Sequence, residues 1–492
     1  MSNLNETLEM MKQAQSAPNE ALTKAITVGT GLVAYDLQAP AIHLYPWGEK
    51  ITPIRASLPR ITSNAGDTAT RWKAITAINS TNVHPGLSEG NRGAQITTSV
   101  SDKTAAYVGL GLEDSVTFEA DYASQSFDDV KARAVEGALR SLMIQEERML
   151  FGGNSSVALG TTPTPTTALV AGGSLADATY VVICVALTHD GMMRSTLANG
   201  VTATVSRTNA DGSSDTIKLG VAQKSAAGTS RTTSGSNNSI SATVTAVTGA
   251  MGYAWYIGVS GSEKLTAITS INSVLLTSAN ASGQLASALP SADNSAEGGY
   301  SFDGILYQTA FGSSTGAYLR TLATGTAGTG TVLTTDSAGG VAEIETALQS
   351  FYDNYRVSPD TIWCNSKELA TITKLVIGGG GAPLFRFNTD AKATLGGISA
   401  GSAVGNYLNK ITQDLIEVKV HPFCPAGTIL FTSKSIPYPL SGVGNVMQVK
   451  CRRDYYQLEW PMSSRKYQYG VYSDQLLQIY APFAFGAITN IA

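Results

Sequence analysis

From Ser126 to Gly153 the sequence carries one long helical signal, and a chain that contains such a rod must build a core along it. Ser126-Phe-Asp-Asp129 supplies a capping oxygen and, three residues later, an acid for the free N–H groups of a first turn. Gly152 and Gly153 end the pattern. Phe127 to Phe151 is 25 residues, about 38 Å at the standard helical rise. Val130, Ala134, Ala138, Leu142 and Met149 mark one stripe, so the expectation is a helix that serves as a domain's spine.

A chain of 492 residues outgrows a single hydrophobic core, so two or more domains are expected around that helix. Charged residues make up 14% of the chain, against roughly 25% in ordinary soluble domains. Apolar content of 43% excludes disorder as the explanation, which leaves neutral surface that can lie against neighbours. A net charge of -4 argues against a broad basic face that grips nucleic acid. The acidic start, Met1-Ser-Asn-Leu-Asn-Glu-Thr-Leu-Glu, does not read as a secretion signal. The longest apolar run, Tyr180 to Leu187, falls short of the roughly 20 residues that span a bilayer. Cys184, Cys364, Cys424 and Cys451 stand singly and read as buried free thiols. His421 and Cys424 are too few for a zinc site, so neither metal nor cofactor is expected.

Residues 1–67 read as an extended arm, opening with a short amphipathic stretch at Leu4, Leu8 and Met11 and then punctuated by prolines from Pro18 to Pro59. Residues 68–112 read as a long hairpin, with strands over 70–78 and 95–112 and a polar tip from His84 to Gly93. Residues 113–153 carry the helix. Over 154–297 the composition shifts to Thr, Ser, Ala, Gly and Val with short strand runs, as in a separate all-β domain. Within it, Ser239 to Gly258 resembles the middle strands of fibronectin type III and immunoglobulin-like modules. Such an insert is expected to have its two ends close together and to fold on its own. Residues 298–492 return to mixed α and β, with a helix on Val341, Ile344, Leu348, Phe351 and Tyr355, and another from Ser366 through Val376.

Several short patterns imitate catalytic motifs. Gly397-Ile-Ser399-Ala-Gly401 fits a nucleophile elbow, with Asp414 and His421 following in hydrolase order, but it lacks the strand and helix that must flank it. Gly29-Thr-Gly31-Leu-Val-Ala34 fits a loose dinucleotide fingerprint without a βαβ unit, and Gly378 to Gly381 reads as a helix stop. Arg452, Arg453, Arg465 and Lys466 alternate with tyrosines, as a nucleic-acid platform would. Asp454, Glu459 and Asp474 lie among them, so ion pairs between subunits are the reading adopted. Arg71 and Lys73 on the hairpin, with Glu89 and Arg92 at its tip, complete the candidate subunit-interface residues. Lys73 and Lys103 read as plain surface lysines.

Five segments, in order, resemble the tailed-bacteriophage major capsid proteins of the Hong Kong 97-type fold. Thr52-Pro-Ile-Arg-Ala-Ser-Leu-Pro-Arg60 looks like the entry to that family's extended loop, and Gln145-Glu-Glu-Arg-Met-Leu-Phe-Gly-Gly-Asn154 like the end of its spine helix. Ser358 to Leu369 looks like a strand-to-helix step of its axial domain, His421 to Phe431 like its next strand, and Arg465 to Phe485 like its closing strands. The resemblance implies an α+β fold with arm, extended loop, and peripheral and axial domains, here interrupted by the immunoglobulin-like insertion. It implies a structural subunit and not an enzyme. Its expected partners are further copies in pentamers and hexamers of an icosahedral shell, portal, scaffolding and decoration proteins, and packaged DNA held non-specifically. Its expected location is the virion, after assembly in the host cytoplasm. The rival readings are an encapsulin-like nanocompartment shell, a hydrolase using Ser399, and an adhesin whose β module binds a glycan.

Overall fold

In the computed structural model, which describes residues 47–63, 68–78, 86–92, 98–125, 128–209, 211–235, 237–312, 315–378, 404–439, 441–462 and 464–492, the long helix runs over Val130–Gly152. Asp129 caps it by accepting from the Ala132 N–H at 3.0 Å. The expected cap at Ser126, the amphipathic start of the arm, the glycine motif at Gly29 and the elbow at Ser399 lie outside the described residues, whereas the end of the expected extended arm folds as helix Pro53–Ser57 and strand Arg60–Thr62, with Ile54 and Leu58 buried in the core. Ala134, Ala138, Leu142, Leu150 and Phe151 are buried, as the stripe requires, while Val130 and Met149 are only partly so.

The helix lies across a four-stranded sheet ordered Arg60–Thr62, Met447–Glu459, Lys466–Ile479, Val108–Thr117, whose inner face supplies Val108, Leu110, Val449, Val471 and Leu477 to the same core. One side of this body therefore joins chain ends far apart in sequence. The first pairing is parallel and the other two are antiparallel.

The hairpin forms as a two-stranded antiparallel ribbon, Ala69–Ile78 against Thr98–Ala106, but its second strand stops earlier than the sequence pattern implied. The Tyr107 N–H donates to Thr68 O at 3.0 Å, and at Val108 the chain enters the four-stranded sheet. Burial explains the break. Val108, Leu110 and Val116 alternate inward, whereas Thr98–Ala106 has no buried residue. The ribbon's root is held by Trp72 edge-on to Tyr480 at 5.9 Å and by Lys450 Nζ donating to Thr70 Oγ1 at 2.9 Å.

The inserted segment is a sandwich of two antiparallel sheets. One is ordered Ser273–Leu276, Ser239–Thr243, Thr166–Val170, and the other Lys264–Thr269, Gly252–Gly258, Thr179–Leu187, Arg231–Thr232. Trp255, Tyr253, Cys184, Ile240 and Val274 meet between the sheets. Ile183, Val185, Tyr256, Leu265 and Leu289 fill a second core on the far side of the larger sheet. Both faces of Thr179–Leu187 and Gly252–Gly258 are therefore covered, which is why those strands read as unbroken apolar runs.

The ends of the insert meet: the Glu297 N–H donates to Asn154 O at 2.8 Å, and Asn154 Nδ2 to Ser295 O at 2.9 Å. The insert is nevertheless seated on the body over a broad root. The His189 ring lies 5.2 Å from Phe151 and bonds Phe423 O through Nε2 at 2.7 Å, and the Tyr307 hydroxyl donates to Gly249 O at 2.7 Å. On the other side Asn490 Nδ2 donates to Asn272 Oδ1 at 3.0 Å. Gly152 makes the seat possible, because a Cβ there would stand 2.4 Å from the His189 ring. Gly152→Ala should thus lower stability by about 1–3 kcal/mol in denaturant unfolding, as overpacked sites do; an unchanged midpoint would contradict this seating.

The remaining core lies under a six-stranded sheet ordered Tyr318–Thr321, Gly486–Thr489, Ile429–Thr432, Thr361–Cys364, Leu415–Val420, Asn406–Leu408. Helix Ala342–Tyr355 buries Ile344, Leu348 and Phe351 against it, on the expected spacing, and Ser366–Gly378 adds Ile372.

Candidate functional site

Two neighbouring structures stand out: a buried charged junction and the exposed ribbon that leaves it. Four of the segments quoted above for their family resemblance contribute to the junction, through Arg55 and Arg60, Glu146 and Glu147, His421, and Gln475. Pro53–Ser57 forms a five-residue helix whose Thr52 cap makes no side-chain bond, and whose proline has no N–H to satisfy. Glu147 of the long helix replaces the cap, accepting from the Ile54 N–H at 2.8 Å and the Arg55 N–H at 2.7 Å. The same carboxylate bonds His421 Nε2 at 2.7 Å, so arm end, long helix and six-stranded sheet converge on one fully buried side chain.

Its neighbour Glu146 is equally buried. Glu146 accepts from Arg55 Nε at 3.0 Å and Arg60 Nη1 at 2.5 Å, and it pairs with the Tyr455 hydroxyl. Arg60 also donates to Asp454 Oδ1 at 2.6 Å and Gln475 Oε1 at 2.6 Å. Both guanidiniums lie over the Tyr455 ring, at 5.2 and 4.6 Å. Burial alone would lower the Arg60 pKa, but the Asp454 and Glu146 carboxylates raise it, and the same pairing holds Asp454 below its usual range against its own burial. Burial, with the Glu146 charge beside it, pushes the Tyr455 phenol up.

Sequence reasoning missed these two glutamates, although a signal was present. The stripe Val130, Ala134, Ala138, Leu142 continues at the same spacing through Glu146 to Leu150. A carboxylate on a core stripe demands buried cations.

The ribbon carries Arg71 and Lys73 on its exposed surface. Lys73 pairs with its cross-strand neighbour Asp102 at 3.7 Å, with both side chains 77% exposed. Glu89 and Arg92 are exposed in the described part of the tip. Between strands, Ile75 and Val100 are direct partners and stand 66% and 54% exposed.

The four basic residues near the carboxyl end do not form one platform. Arg452 pairs with Asp474 at 2.9 Å and Arg453 lies 3.9 Å from the Tyr456 ring centroid. Arg465 pairs with Glu119 at 2.6 Å at the far end of the sheet, where Lys466 is exposed beside Thr117.

His421 also bears on the hydrolase reading. Its Nε2 is bonded to Glu147 and its Nδ1 accepts from the Phe423 N–H at 3.2 Å, with the ring stacked 4.6 Å from Phe151. A histidine with both nitrogens engaged and its ring fully buried has no lone pair to offer a serine. Ser399→Ala is accordingly expected to leave subunit stability, particle formation and labelling by serine-directed phosphonates unchanged; labelling that depends on Ser399 would contradict this. Among the described residues no group of three His, Cys, Asp or Glu side chains is placed to hold a metal, and no helix is long and apolar enough to cross a membrane. All four cysteines are free and buried.

No family model matches the chain, and no curated protein matches it significantly. Solved structures similar to it over nearly its whole length include phage capsids and an encapsulin shell. They include the capsid of a native GTA particle (10% identity, 95% of this chain and 99% of that one, TM-score 0.46). The capsid of Myoviridae phage XM1 is another (8% identity, 94% and 100%, TM-score 0.41). A third is the holo-SrpI encapsulin complex of Synechococcus elongatus PCC 7942 (9% identity, 97% and 96%, TM-score 0.41).

Proposed function

We propose that this chain is a tailed-bacteriophage major capsid protein of the Hong Kong 97-type fold, which assembles into the pentamers and hexamers of an icosahedral head around double-stranded DNA. The observation that carries the proposal is the ribbon. A two-stranded hairpin is marginal alone in water. This one holds its ladder with no buried residue along Thr98–Ala106 and presents the apolar pair Ile75 and Val100 outward. Such a strand pair needs a covering surface, and in a homo-oligomer that surface is the next copy. The junction supports the same reading, because it anchors the chain on both sides of the long helix just before the ribbon departs.

In this account the sheet crossed by the long helix is the peripheral domain, the six-stranded sheet is the axial domain, and the sandwich is an immunoglobulin-like decoration. Arg71, Lys73, Glu89, Arg92, Arg452, Arg453, Arg465 and Lys466 are the charged groups that set register between copies. Portal, scaffolding and decoration proteins are the further partners, and the virion is the site of action.

Sedimentation of the expressed full chain separates this from a hydrolase or an adhesin: megadalton particles are expected, and a stable species near 51.3 kDa would overturn the proposal. Nuclease-protected double-stranded DNA in particles from infected cells separates a phage head from an encapsulin-like compartment, which would hold protein cargo instead.

A further inference from the structure

Where the insert leaves and rejoins the body, a carboxyl group is buried without a full set of partners. Glu297 is 8% exposed, and its Oε1 has no hydrogen-bond partner among the described residues. The Arg148 Nε atom is in the same position. The surrounding cations are already committed. Arg148, from the long helix, donates to Asp190 Oδ1 at 2.9 Å, and Arg194 donates to Asp190 Oδ2 at 2.6 Å, both inside the insert's short helix His189–Arg194. The other groups facing this point are Ser301, His189 and Tyr307.

Burial first, and then the Asp190 charge, push the Glu297 carboxyl up to about 8, against the opposing pull of Ser301, Arg194 and Arg148. Burial pushes His189 down to about 4 and pushes the Tyr307 phenol far up.

We propose that Glu297 is a proton-controlled latch at the insert's root: protonated, it lets the root seat fully on the long helix, and ionised it favours a loosened root into which water enters. The neutral acid can stay buried at little cost, whereas the carboxylate must face Asp190 with one oxygen lacking a donor. Water reaching an opened root supplies that donor. The chain's path adds leverage, since the Glu297 N–H is bonded to Asn154 O, so a change at this residue acts on both connections at once.

The seated state has the higher carboxyl pKa, about 8 against the ordinary 4.5, so seating is favoured at low pH and the preference is lost as pH rises through 8. The opening equilibrium should therefore rise by roughly tenfold per pH unit between about 5 and 8, then level off.

Hydrogen–deuterium exchange of the full-length chain from pH 5 to 9, corrected for the intrinsic chemical rate, reads this directly. Peptides covering residues 149–157, 186–196 and 295–303 should show the rise, while those of the six-stranded sheet should not. Glu297→Gln, neutral throughout, should abolish the slope and keep low-pH protection. Asp190→Asn removes the like charge and frees both guanidiniums for Glu297, so the plateau should arrive at lower pH. This second variant decides the matter if Glu297→Gln does not fold. A flat wild-type profile, a slope retained in Glu297→Gln, or an unmoved plateau in Asp190→Asn would overturn the latch.

Discussion

Replacing Ile75 by aspartate and Val100 by lysine together is expected to leave a folded subunit that no longer closes into shells. The two residues face each other across the ribbon and are mostly exposed, so the subunit loses no core contact. Opposite charges directly across a ladder keep the pair attractive, which guards against fraying of the ribbon itself. Surface changes of this kind stay within about 0.5 kcal/mol in the isolated subunit. Against a neighbouring copy the balance reverses, since both charges must be desolvated where an apolar pair was to be covered. Every subunit of a shell repeats that cost. Circular dichroism and thermal unfolding should match the wild type, while sedimentation should find small species only. Shells of normal size from the double variant would show that the ribbon's apolar face is not what neighbours cover.

The second large effect belongs to the junction. Glu146→Ala should lower subunit stability by about 3–5 kcal/mol, the usual result of removing one partner from a buried charge cluster. Glu146 is fully buried, whereas the Arg55 and Arg60 side chains are 19% and 17% exposed, so its loss strands two guanidiniums with little water in reach. Asp454 still pairs with Arg60, but among the described residues Arg55 has no other ion pair. Glu146→Gln retains an acceptor of the same shape and should fall between alanine and wild type. Urea unfolding of the unassembled subunit measures the series, and an alanine variant within 1 kcal/mol of wild type, on the order of a single neutral hydrogen bond, would mean that the junction does not hold the arm's end to the helix.

Much of the fold was legible because it depends on local periodicity. The helix over Val130–Gly152, the helix that buries Ile344, Leu348 and Phe351, and the apolar strands Thr179–Leu187 and Gly252–Gly258 all announce themselves by which positions are apolar. What local pattern cannot supply is the identity of a strand's partner. The residues on either side of Tyr107 both read as strand, yet one side pairs within the ribbon and the other with Lys466–Ile479 from the far end of the chain. The basic residues near the carboxyl end likewise need the three-dimensional pairing to be placed. Arg452 lies within strand Met447–Glu459 and pairs with Asp474, whereas Arg465 lies just before strand Lys466–Ile479 and pairs with Glu119.

The candidate site was harder to see than the fold. The conspicuous motifs, an elbow at Ser399 and a His421-x-x-Cys424 pair, drew attention to chemistry, whereas His421 is spent on fixing Glu147. The informative residues were the inconspicuous ones. Glu146 and Glu147 on a core stripe, and Arg55 and Arg60 on either side of a proline-flanked turn, make sense only once three distant segments are brought together. The ribbon's apolar pair likewise looks like an ordinary alternating strand until the structure leaves it uncovered.

Electron microscopy of the purified full-length chain distinguishes a shell subunit from a protein that stays monomeric. Closed, uniform shells are expected in which the Ala69–Ile78 and Thr98–Ala106 ribbon of each subunit lies over the body of the next, covering Ile75 and Val100, with the sandwich at the surface. Discrete monomers or small oligomers at concentrations where shells should form, or shells in which the ribbon stands free of every neighbour, would contradict it.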